Sequence, residues 1–467
     1  MKYKFYPEYK DSGLEWIETI PKTWKIRRIK RLGSLSTSSV DKKSNPEEIK
    51  IKLVNYMDVY KSVDKKIDSS LNFMNVTARP QQLVSNDLKS GDILFTPSSE
   101  TPDDIGNSAV VFEDLKNTLH SYHLIRLRFN EEIKLTLNYK RYLFNNHFIL
   151  NQFSSKCVGI TRMILGIPGF GESYSLIPPL EDQKLITNFL DKKTSEIDKT
   201  IEKDTQLIEL LKEKRIALIN HVVTKGLDVD ARMKDSGVEW IGEIPETWKV
   251  VPLTKFLESK VDYRGKTPEK VDEGVFLVTG KNIKNGKIDY EKSQEYVREE
   301  LYNDIMSRGK PKIGDLLFTT EAPLGEVANV DYPKIALAQR IIKMCGKEGV
   351  LNNYYLKYYM MSNNFQGHLQ SLATGSTALG IKASKLFILR LILPPYKEQL
   401  KIVKRLDEID KKSSITVQKI ENKIELMEEY KKSLIHHVVT GKVDVRGEDS
   451  LKQIHQKKDS KQTSLTI

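Results

Sequence analysis

KDSGLEWIETIPKTWK at residues 10–25 occurs again, little changed, as KDSGVEWIGEIPETWK at residues 234–249. The copies are offset by 224 positions and agree at 12 of 16 residues. A second block repeats as well, because residues 178–229 align without a gap to residues 394–445 with 20 of 52 identities. Internal repeats of this length constrain the fold before any single element does. The sequence therefore predicts two copies of one frame.

The middle of each copy is less similar than its ends. GDILFT at 91–96 corresponds to GDLLFT at 314–319, and GIT at 159–161 corresponds to GST at 375–377. The offset falls from 224 to 216 along the copies, so the middles differ in length. Short apolar runs alternate with Gly, Pro, Asn and Asp, which is typical of mixed α/β structure. We interpret this pattern as two different specificities on one scaffold; a plain duplication whose middles drifted is the alternative.

The repeated blocks at 178–229 and 394–445 predict two long helices, at about 181–224 and 397–440. A proline pair precedes each helix, where proline is tolerated at a helix start. Apolar residues then recur at spacings of four and three, the pattern of a coiled-coil seam. The seam residues are Leu190, Ile197, Ile201, Ile208, Leu211, Leu218 and Val222 in the first helix, and Leu406, Val417, Ile420, Ile424, Met427, Leu434 and Val438 in the second. Two unpaired stripes predict that the helices pack on each other.

Composition limits the class of protein. The 467 residues carry a net charge of +12, which favours a polyanionic partner, either nucleic acid or an anionic membrane surface. Two cysteines exclude a disulfide scaffold and an all-cysteine zinc site, and they fit a reducing cytosol. The N-terminus lacks the apolar stretch of a signal peptide, and no run of ~18 apolar residues is present. We expect a cytoplasmic protein without a membrane partner.

Catalytic motifs are weak throughout the sequence. Asp103 with Asp114 and Lys116 satisfies a loose nuclease pattern that arises often by chance, and the second half has no counterpart. LPPY at 393–396 lacks the Asn or Asp with which adenine methyltransferases hold the target amino group. No phosphate-binding loop or metal-binding histidine motif is present. The sequence favours a recognition module; an enzyme with an atypical active site and a coiled-coil adapter with no nucleic-acid role stay open as alternatives.

Candidate DNA contacts lie in turns, most of which occupy equivalent positions in the two halves. Arginine can hydrogen-bond guanine through two nitrogens, while hydroxyl groups, lysine and free backbone amides suit phosphate. The candidates are Thr96, Ser98, Thr161 and Arg162 in the first half, and Tyr263, Arg264, Lys266, Thr267, Lys281, Thr319, Thr320, Gly375, Ser376 and Thr377 in the second.

In these motifs the chain resembles the specificity subunit of type I restriction-modification systems. The resemblance extends to about Gly447 and rests on KDSGVEWIGEIPETWKV at 234–250, the GD(I/L)LFT pair, LPPYKEQ at 393–399 and the two LI(N/H)HVVT helix ends. One position departs from the family: Asp182 stands where the family has Glu. The resemblance implies an α+β fold, in which two mixed α/β target recognition domains are joined by two long helices. These helices would form an antiparallel coiled coil with internal pseudo-two-fold symmetry.

The resemblance also implies domain limits and partners. The expected segments are target recognition domain 1 at 1–177, the first coiled-coil helix at 178–226, a linker and the start of the second repeat at 227–250, target recognition domain 2 at 251–393, the second helix at 394–441, and a polar, disordered tail at 442–467. The expected partners are double-stranded DNA, two methyltransferase subunits and restriction/translocase subunits. S-adenosylmethionine, ATP and Mg would bind to those subunits, and this chain would hold no cofactor, metal or catalytic residue.

Overall fold

The computed structural model describes residues 4–265, 268–375 and 379–446. The chain divides into two compact units, unit 1 with Met1–Glu202 and Lys423–Ile467, and unit 2 with Lys203–Asn422. Each unit contains one of the two middles, the first part of one long helix and the last part of the other. The boundaries between the two units thus fall inside the two long helices. The expected segments, in contrast, are divided near the ends of these helices.

Unit 1 has two main sheets and three two-stranded sheets. Its strands are β1 (Tyr9–Leu14), β2 (Ile17–Pro21), β3 (Lys25–Arg28), β4 (Gly33–Thr37), β5 (Ile49–Val54), β6 (Lys66–Ile67), β7 (Met74–Ala78), β8 (Asp87–Leu88), β9 (Ile93–Phe95), β10 (Ser98–Ser99), β11 (Ser108–Val111), β12 (Leu115–His120), β13 (Ile125–Phe129), β14 (Met163–Ile164) and β15 (Tyr174–Ile177). Its helices are α1 (Tyr56–Tyr60), α2 (Pro80–Ser85), α3 (Leu137–Leu143), α4 (His147–Ser154), α5 (Ile167–Gly171) and the beginning of α6 (Leu180–Lys225). The main sheets have the strand orders β4-β13-β9-β11-β6 and β7-β5-β12-β8.

Unit 2 repeats this plan. Its strands are β16 (Met233–Asp235), β17 (Glu243–Pro245), β18 (Lys249–Pro252), β19 (Leu257–Asp262), β20 (Val275–Val278), β21 (Ile283–Lys284), β22 (Lys287–Ile288), β23 (Tyr296–Val297), β24 (Leu316–Thr320), β25 (Leu324–Asn329), β26 (Ala336–Leu337), β27 (Ile341–Gly346) and β28 (Arg390–Leu393). Its helices are α7 (Tyr302–Ile305), α8 (Asn353–Met360), α9 (Asn363–Leu372) and the beginning of α10 (Tyr396–Val439). The main sheets have the orders β19-β27-β24-β25 and β23-β20-β26.

The two middles share one topology. The order β4-β13-β9-β11 in unit 1 corresponds strand by strand to β19-β27-β24-β25 in unit 2, and β7-β5-β12 corresponds to β23-β20-β26. In both units the second sheet contains a parallel pair, β5 with β12 and β20 with β26. The duplication therefore includes the middles, although their sequences retain few identities.

The repeated Gly-Asp pair forms the turn that enters the central strand of each main sheet. Gly91 and Gly314 have φ angles of 91° and 87°, a left-handed conformation that favours glycine. The carboxylate of Asp92 accepts a hydrogen bond from the amide of Lys89 at 2.9 Å. The carboxylate of Asp315 accepts one from the amide of Lys312 at the same distance. The motif is therefore structural in both units.

The repeated tryptophan anchors the start of the long helix in its own unit. Trp24 is fully buried, and its Nε1 donates a hydrogen bond to Asp182 Oδ2 at 3.1 Å. In unit 2, Nε1 of the buried Trp248 donates to Glu398 Oε2 at 2.9 Å. Asp182 therefore performs the same task as the longer glutamate, and the departure from the family pattern is conservative.

The glutamine that follows this acid ties the same helix start to the middle. In unit 1, Gln183 Oε1 accepts a hydrogen bond from the amide of Thr136 at 2.9 Å. In unit 2, Gln399 Oε1 accepts one from the amide of Asn352 at 2.8 Å. Both glutamines are fully buried, where an unpaired amide is costly. The Glu/Asp-Gln motif is thus a structural joint between helix and middle.

The long helices confirm the predicted fold class and begin and end within one residue of the predicted limits. The seam positions Ile197, Ile201, Ile208, Leu211, Leu218, Val417, Ile420, Ile424, Met427 and Leu434 are all buried or half-buried. The pairing is antiparallel: in unit 1, Lys431 Nζ contacts Asp198 at 2.6 Å, and in unit 2, Arg215 Nε contacts Asp410 at 2.7 Å. Early positions of one helix thus meet late positions of the other.

The expected disordered tail was placed too early in the chain, at residue 442. Val443 and Val445 are buried in the core of unit 1, and Asp444 forms a β-bridge with Lys4. Apolar residues at alternate positions pack against the N-terminal segment, which polar composition alone did not reveal. The rest of the predicted tail, 447–467, lies outside the described residues.

Candidate nucleic-acid interface

In unit 1 the structure brings two predicted loops together. β10, which follows Thr96, pairs with β14, which follows the loop at 159–162. The guanidinium of Arg162 donates hydrogen bonds to Ser98 Oγ at 3.0 and 3.2 Å. Thr161 and Arg162 are exposed, so the loop presents a cation and a hydroxyl group to solvent. Such a pair can contact phosphate and a base edge.

Aromatic and basic side chains that the sequence analysis missed complete this surface. The hydroxyl of Tyr56 donates to the carbonyl of Ser98 at 2.7 Å. The Tyr122 ring, 47% exposed, lies 3.9 Å from the His123 ring between centroids. Burial lowers the pKa of His123, and the positive charges of Lys42 and Arg162 lower it further. The sequence signal for this pair was its place in the short segment between the apolar runs of β12 and β13.

Three predicted phosphate contacts are wrong. Thr96, Thr319 and Thr320 are buried, with 0%, 0% and 2% exposure. The amide of Thr96 donates to the carbonyl of Asn107 at 2.9 Å, and the amide of Thr320 donates to the carbonyl of Arg340 at 2.9 Å. The hydroxyl of Thr319 is also bonded internally, to Glu326. Their donors stabilise the sheet, because strand pairing continues further than the sequence indicated.

In unit 2 the predicted basic turn is present, although its tyrosine is not a surface group. Tyr263 is 5% exposed, and its hydroxyl donates to the carbonyl of Gly309. The guanidinium of Arg264 donates hydrogen bonds to Asp262 Oδ2 at 2.9 and 2.6 Å, and these bonds raise the pKa of Arg264. Arg308 donates to the carbonyls of Asp262 and Arg264 at 2.8 and 2.7 Å. Two arginines therefore share this turn.

The loops that correspond to the unit 1 surface carry different chemistry in unit 2. Glu321 occupies the position of Ser98, and Arg340 occupies that of His123; their side chains are 3.7 Å apart. Glu321 also forms a β-bridge with Gly380, which forms a second bridge with Thr374, the neighbour of the exposed Gly375. Lys281 is exposed at the position that corresponds to the start of α1. The predicted candidates Lys266, Thr267, Ser376 and Thr377 lie outside the described residues.

Within the described ranges 4–265, 268–375 and 379–446, no group of three or more His, Cys, Asp or Glu side chains has a metal-binding arrangement. In the same ranges, no helix is both long and apolar enough to cross a membrane.

Comparison with known proteins agrees with this geometry. The model of the type I restriction modification DNA specificity domain matches residues 245–426. The chain is 27% identical to a Methanocaldococcus jannaschii protein named as the MjaX specificity subunit of a type I restriction enzyme, over 95% of this chain and 99% of that protein. It is 29% identical to the MjaVIII specificity subunit of the same organism, over 58% of this chain and 62% of that protein.

A solved structure of the type I restriction-modification system contains a chain with a similar fold. The TM-score is 0.66 at 16% identity, and the match covers 90% of this chain and 99% of the other. Together with the duplicated frame and the paired long helices, these comparisons show that the chain is similar to the specificity subunits of type I restriction enzymes.

Proposed function

We propose that this chain is the DNA-sequence-recognition subunit of a type I restriction-modification complex, and that each unit recognises one half of a bipartite DNA site. The observation that carries the proposal is that equivalent loops in one topology present unequal chemistry. Ser98, His123 and Arg162 line the surface in unit 1, whereas Glu321 and Arg340 line it in unit 2. Base edges are distinguished by donors and acceptors, so unequal loops suit an asymmetric sequence.

The long helices supply the second part of the proposal. α6 and α10 each run through both units, and ~45 residues at ~1.5 Å per residue make helices of about 68 Å. About two turns of duplex at ~34 Å per turn have this length. Helix length would therefore fix the number of base pairs between the half-sites, and the outer faces of the helices would dock two methyltransferase subunits.

Catalysis would reside in the partners. S-adenosylmethionine would bind to the methyltransferase subunits, and ATP and Mg to the restriction/translocase subunits. The purified chain should therefore neither methylate nor cut DNA, and methylation at one bipartite sequence should appear when the methyltransferase subunits are added. Turnover by the chain alone would favour an enzyme, and complexes whose DNA affinity does not depend on salt would favour an adapter.

A separate experiment tests whether helix length sets the gap between the half-sites. Four residues inserted after Glu202 and four after Asn422 lengthen both helices at the unit boundaries by ~6 Å and nearly preserve the seam. The preferred gap between half-sites should widen by about one or two base pairs, at ~3.4 Å each, without a change in either half-site. Two-residue insertions at the same places rotate the seam by about 200° and should impair folding. An unchanged gap would show that the helices do not set it.

A further inference from the structure

A groove with a volume of about 720 Å³ lies beside β5, β7 and β12 of unit 1, apart from the loops described above. Three lysines, Lys50, Lys52 and Lys116, line it together with the amide side chains of Asn45, Asn75 and Asn117. No acidic or aromatic residue belongs to its lining. The groove is therefore a concentration of positive charge and hydrogen-bond donors.

These lysines have no structural task that would explain them. All three are exposed, and none forms an ion pair with another residue in the part of the chain that the structure describes. Glu48 is next to β5, but its carboxylate is occupied by Thr77 at 2.9 Å and Arg79 at 3.3 Å. Lys50 and Lys52 are two residues apart in one strand, so they project on the same side about 6.6 Å apart.

Unit 2 has different chemistry at the corresponding place. Val54 and Val278 end the equivalent strands β5 and β20 and pair in parallel with β12 and β26, so Phe276 corresponds to Lys52. The Phe276 ring packs against Tyr290 at 5.0 Å and Tyr296 at 5.6 Å between centroids. The lysine groove is thus a feature of unit 1 and not of the shared frame.

We propose that this groove binds the phosphate backbone of the DNA duplex beside the half-site that unit 1 recognises, an inference that rests on the proposed function. Lysine is a compact, strongly hydrated point charge that holds phosphate without sequence preference, and asparagine can donate to phosphate oxygens. The absence of aromatic lining disfavours single strands, which bind by base stacking.

The groove is separate from the candidate interface but is linked to it through β5. β5 carries Lys52 and leads within four residues to Tyr56, whose hydroxyl is bonded to Ser98. At ~3.3 Å per residue the two residues are at most about 13 Å apart, the length of about four base pairs. One duplex that contacts the Arg162 loop therefore reaches both places.

The test is the salt dependence of DNA binding by the assembled complex with its methyltransferase subunits. Each phosphate contact contributes about 0.9 to the slope of log affinity against log salt, so the triple variant Lys50→Gln, Lys52→Gln, Lys116→Gln should reduce the slope by about 2 to 3. The methylated sequence should not change. Hydroxyl-radical protection should be lost beside one half-site only.

The matched control replaces three other exposed lysines of unit 1, as Lys10→Gln, Lys25→Gln, Lys134→Gln, and should leave the slope unchanged. If the wild-type complex binds its site with a steep slope and the groove variant has the same slope, the inference is overturned while the proposed function stands. A groove variant that loses affinity for single-stranded DNA but not for duplex also overturns it. If the wild-type complex binds DNA without sequence preference, the proposed function is wrong, and the inference is wrong with it.

Discussion

The guanidinium of Arg215 is hydrogen-bonded to both carboxylate oxygens of Asp410, at 2.7 and 3.1 Å, and so joins α6 to α10 in unit 2. The side chains are 15% and 13% exposed. Asp410 also accepts a hydrogen bond from the hydroxyl of Tyr358 at 3.2 Å. A charge in an apolar seam therefore has a specific partner, and this pair fixes the register of the helices within the unit.

Removal of one member of this pair should destabilise unit 2. Arg215→Met leaves the Asp410 carboxylate partly buried and should lower the free energy of unfolding by about 2–4 kcal/mol, less than a fully buried pair would lose. The double variant Arg215→Met, Asp410→Leu should recover most of this loss. Chemical denaturation measures the free energy of unfolding of each variant. Lys431→Met is the matched control: its pair with Asp198 is more exposed, at 31% and 53%, so about 1 kcal/mol or less is expected. If Arg215→Met and Lys431→Met lower the free energy of unfolding equally, the pair of Arg215 with Asp410 has no special role in stability.

The tryptophan anchor predicts a second stability effect. Trp24→Phe removes the indole donor of the buried Asp182, and a hydrogen bond to a charged group contributes about 1.5–3 kcal/mol. The smaller ring adds a packing loss, so thermal unfolding of unit 1 should move clearly to lower temperature. Trp16 belongs to the same motif but is 57% exposed, and Trp16→Phe should change stability little. If Trp24→Phe and Trp16→Phe lower the unfolding temperature equally, the hydrogen bond from Trp24 to Asp182 does not stabilise unit 1.

His120 should make the stability of unit 1 depend on pH. Burial, and after it the charge of Arg126, lower the pKa of His120 to about 4 from an ordinary value of 6.5. Between these values the unfolded chain binds a proton that the folded unit does not, so stability falls as pH decreases from 6.5 to 4, by about 3 kcal/mol at most. Above pH 6.5 the group is neutral in both states and contributes no slope.

The matched variant is His120→Leu, because Leu337 occupies the equivalent position in unit 2. Denaturation between pH 4 and 7 should show a shallower slope for this variant than for the wild type. Replacement of the exposed His221 by glutamine serves as the control and should leave the slope as it is. If the stability of His120→Leu depends on pH as steeply as that of the wild type, the pH dependence arises from other groups.

Arg162 should influence one half-site only. Arg162→Gln keeps hydrogen-bonding capacity but removes the charge and the two-nitrogen fork, so discrimination at one base should fall by about 1–3 kcal/mol. Arg340→Gln, in the corresponding surface of unit 2, should relax the other half-site instead. Methylation mapping in cells distinguishes the two patterns. Relaxation of both halves by either variant would contradict separate recognition by the two units.

The frame of this protein could be predicted from the sequence because its signals are local and repeated. Apolar residues at spacings of four and three, after a proline pair, placed the long helices to within one residue. The Gly-Asp turn and the Trp and Gln anchors recur in both halves, and each performs the same structural task twice.

The surface was less predictable, because it is assembled from segments far apart in the sequence. Arg162 meets Ser98 through the pairing of β10 with β14, and Tyr56 arrives from a third segment. No local pattern shows such pairings. Thr96 and Thr320 were expected on the surface, but both are buried: Thr320 still belongs to β24, and Thr96, just after β9, pairs its amide with the carbonyl of Asn107.

An exchange of one middle tests whether each unit recognises its own half-site. Residues 27–177 would be replaced by the corresponding segment of a relative with a different target, and methylated adenines would be mapped across the genome of cells that also contain the methyltransferase subunits. We expect one half of the methylated sequence to change to that of the relative, while the other half and the gap stay the same. A change in both halves, or in neither, would contradict the claim that each unit recognises its own half-site.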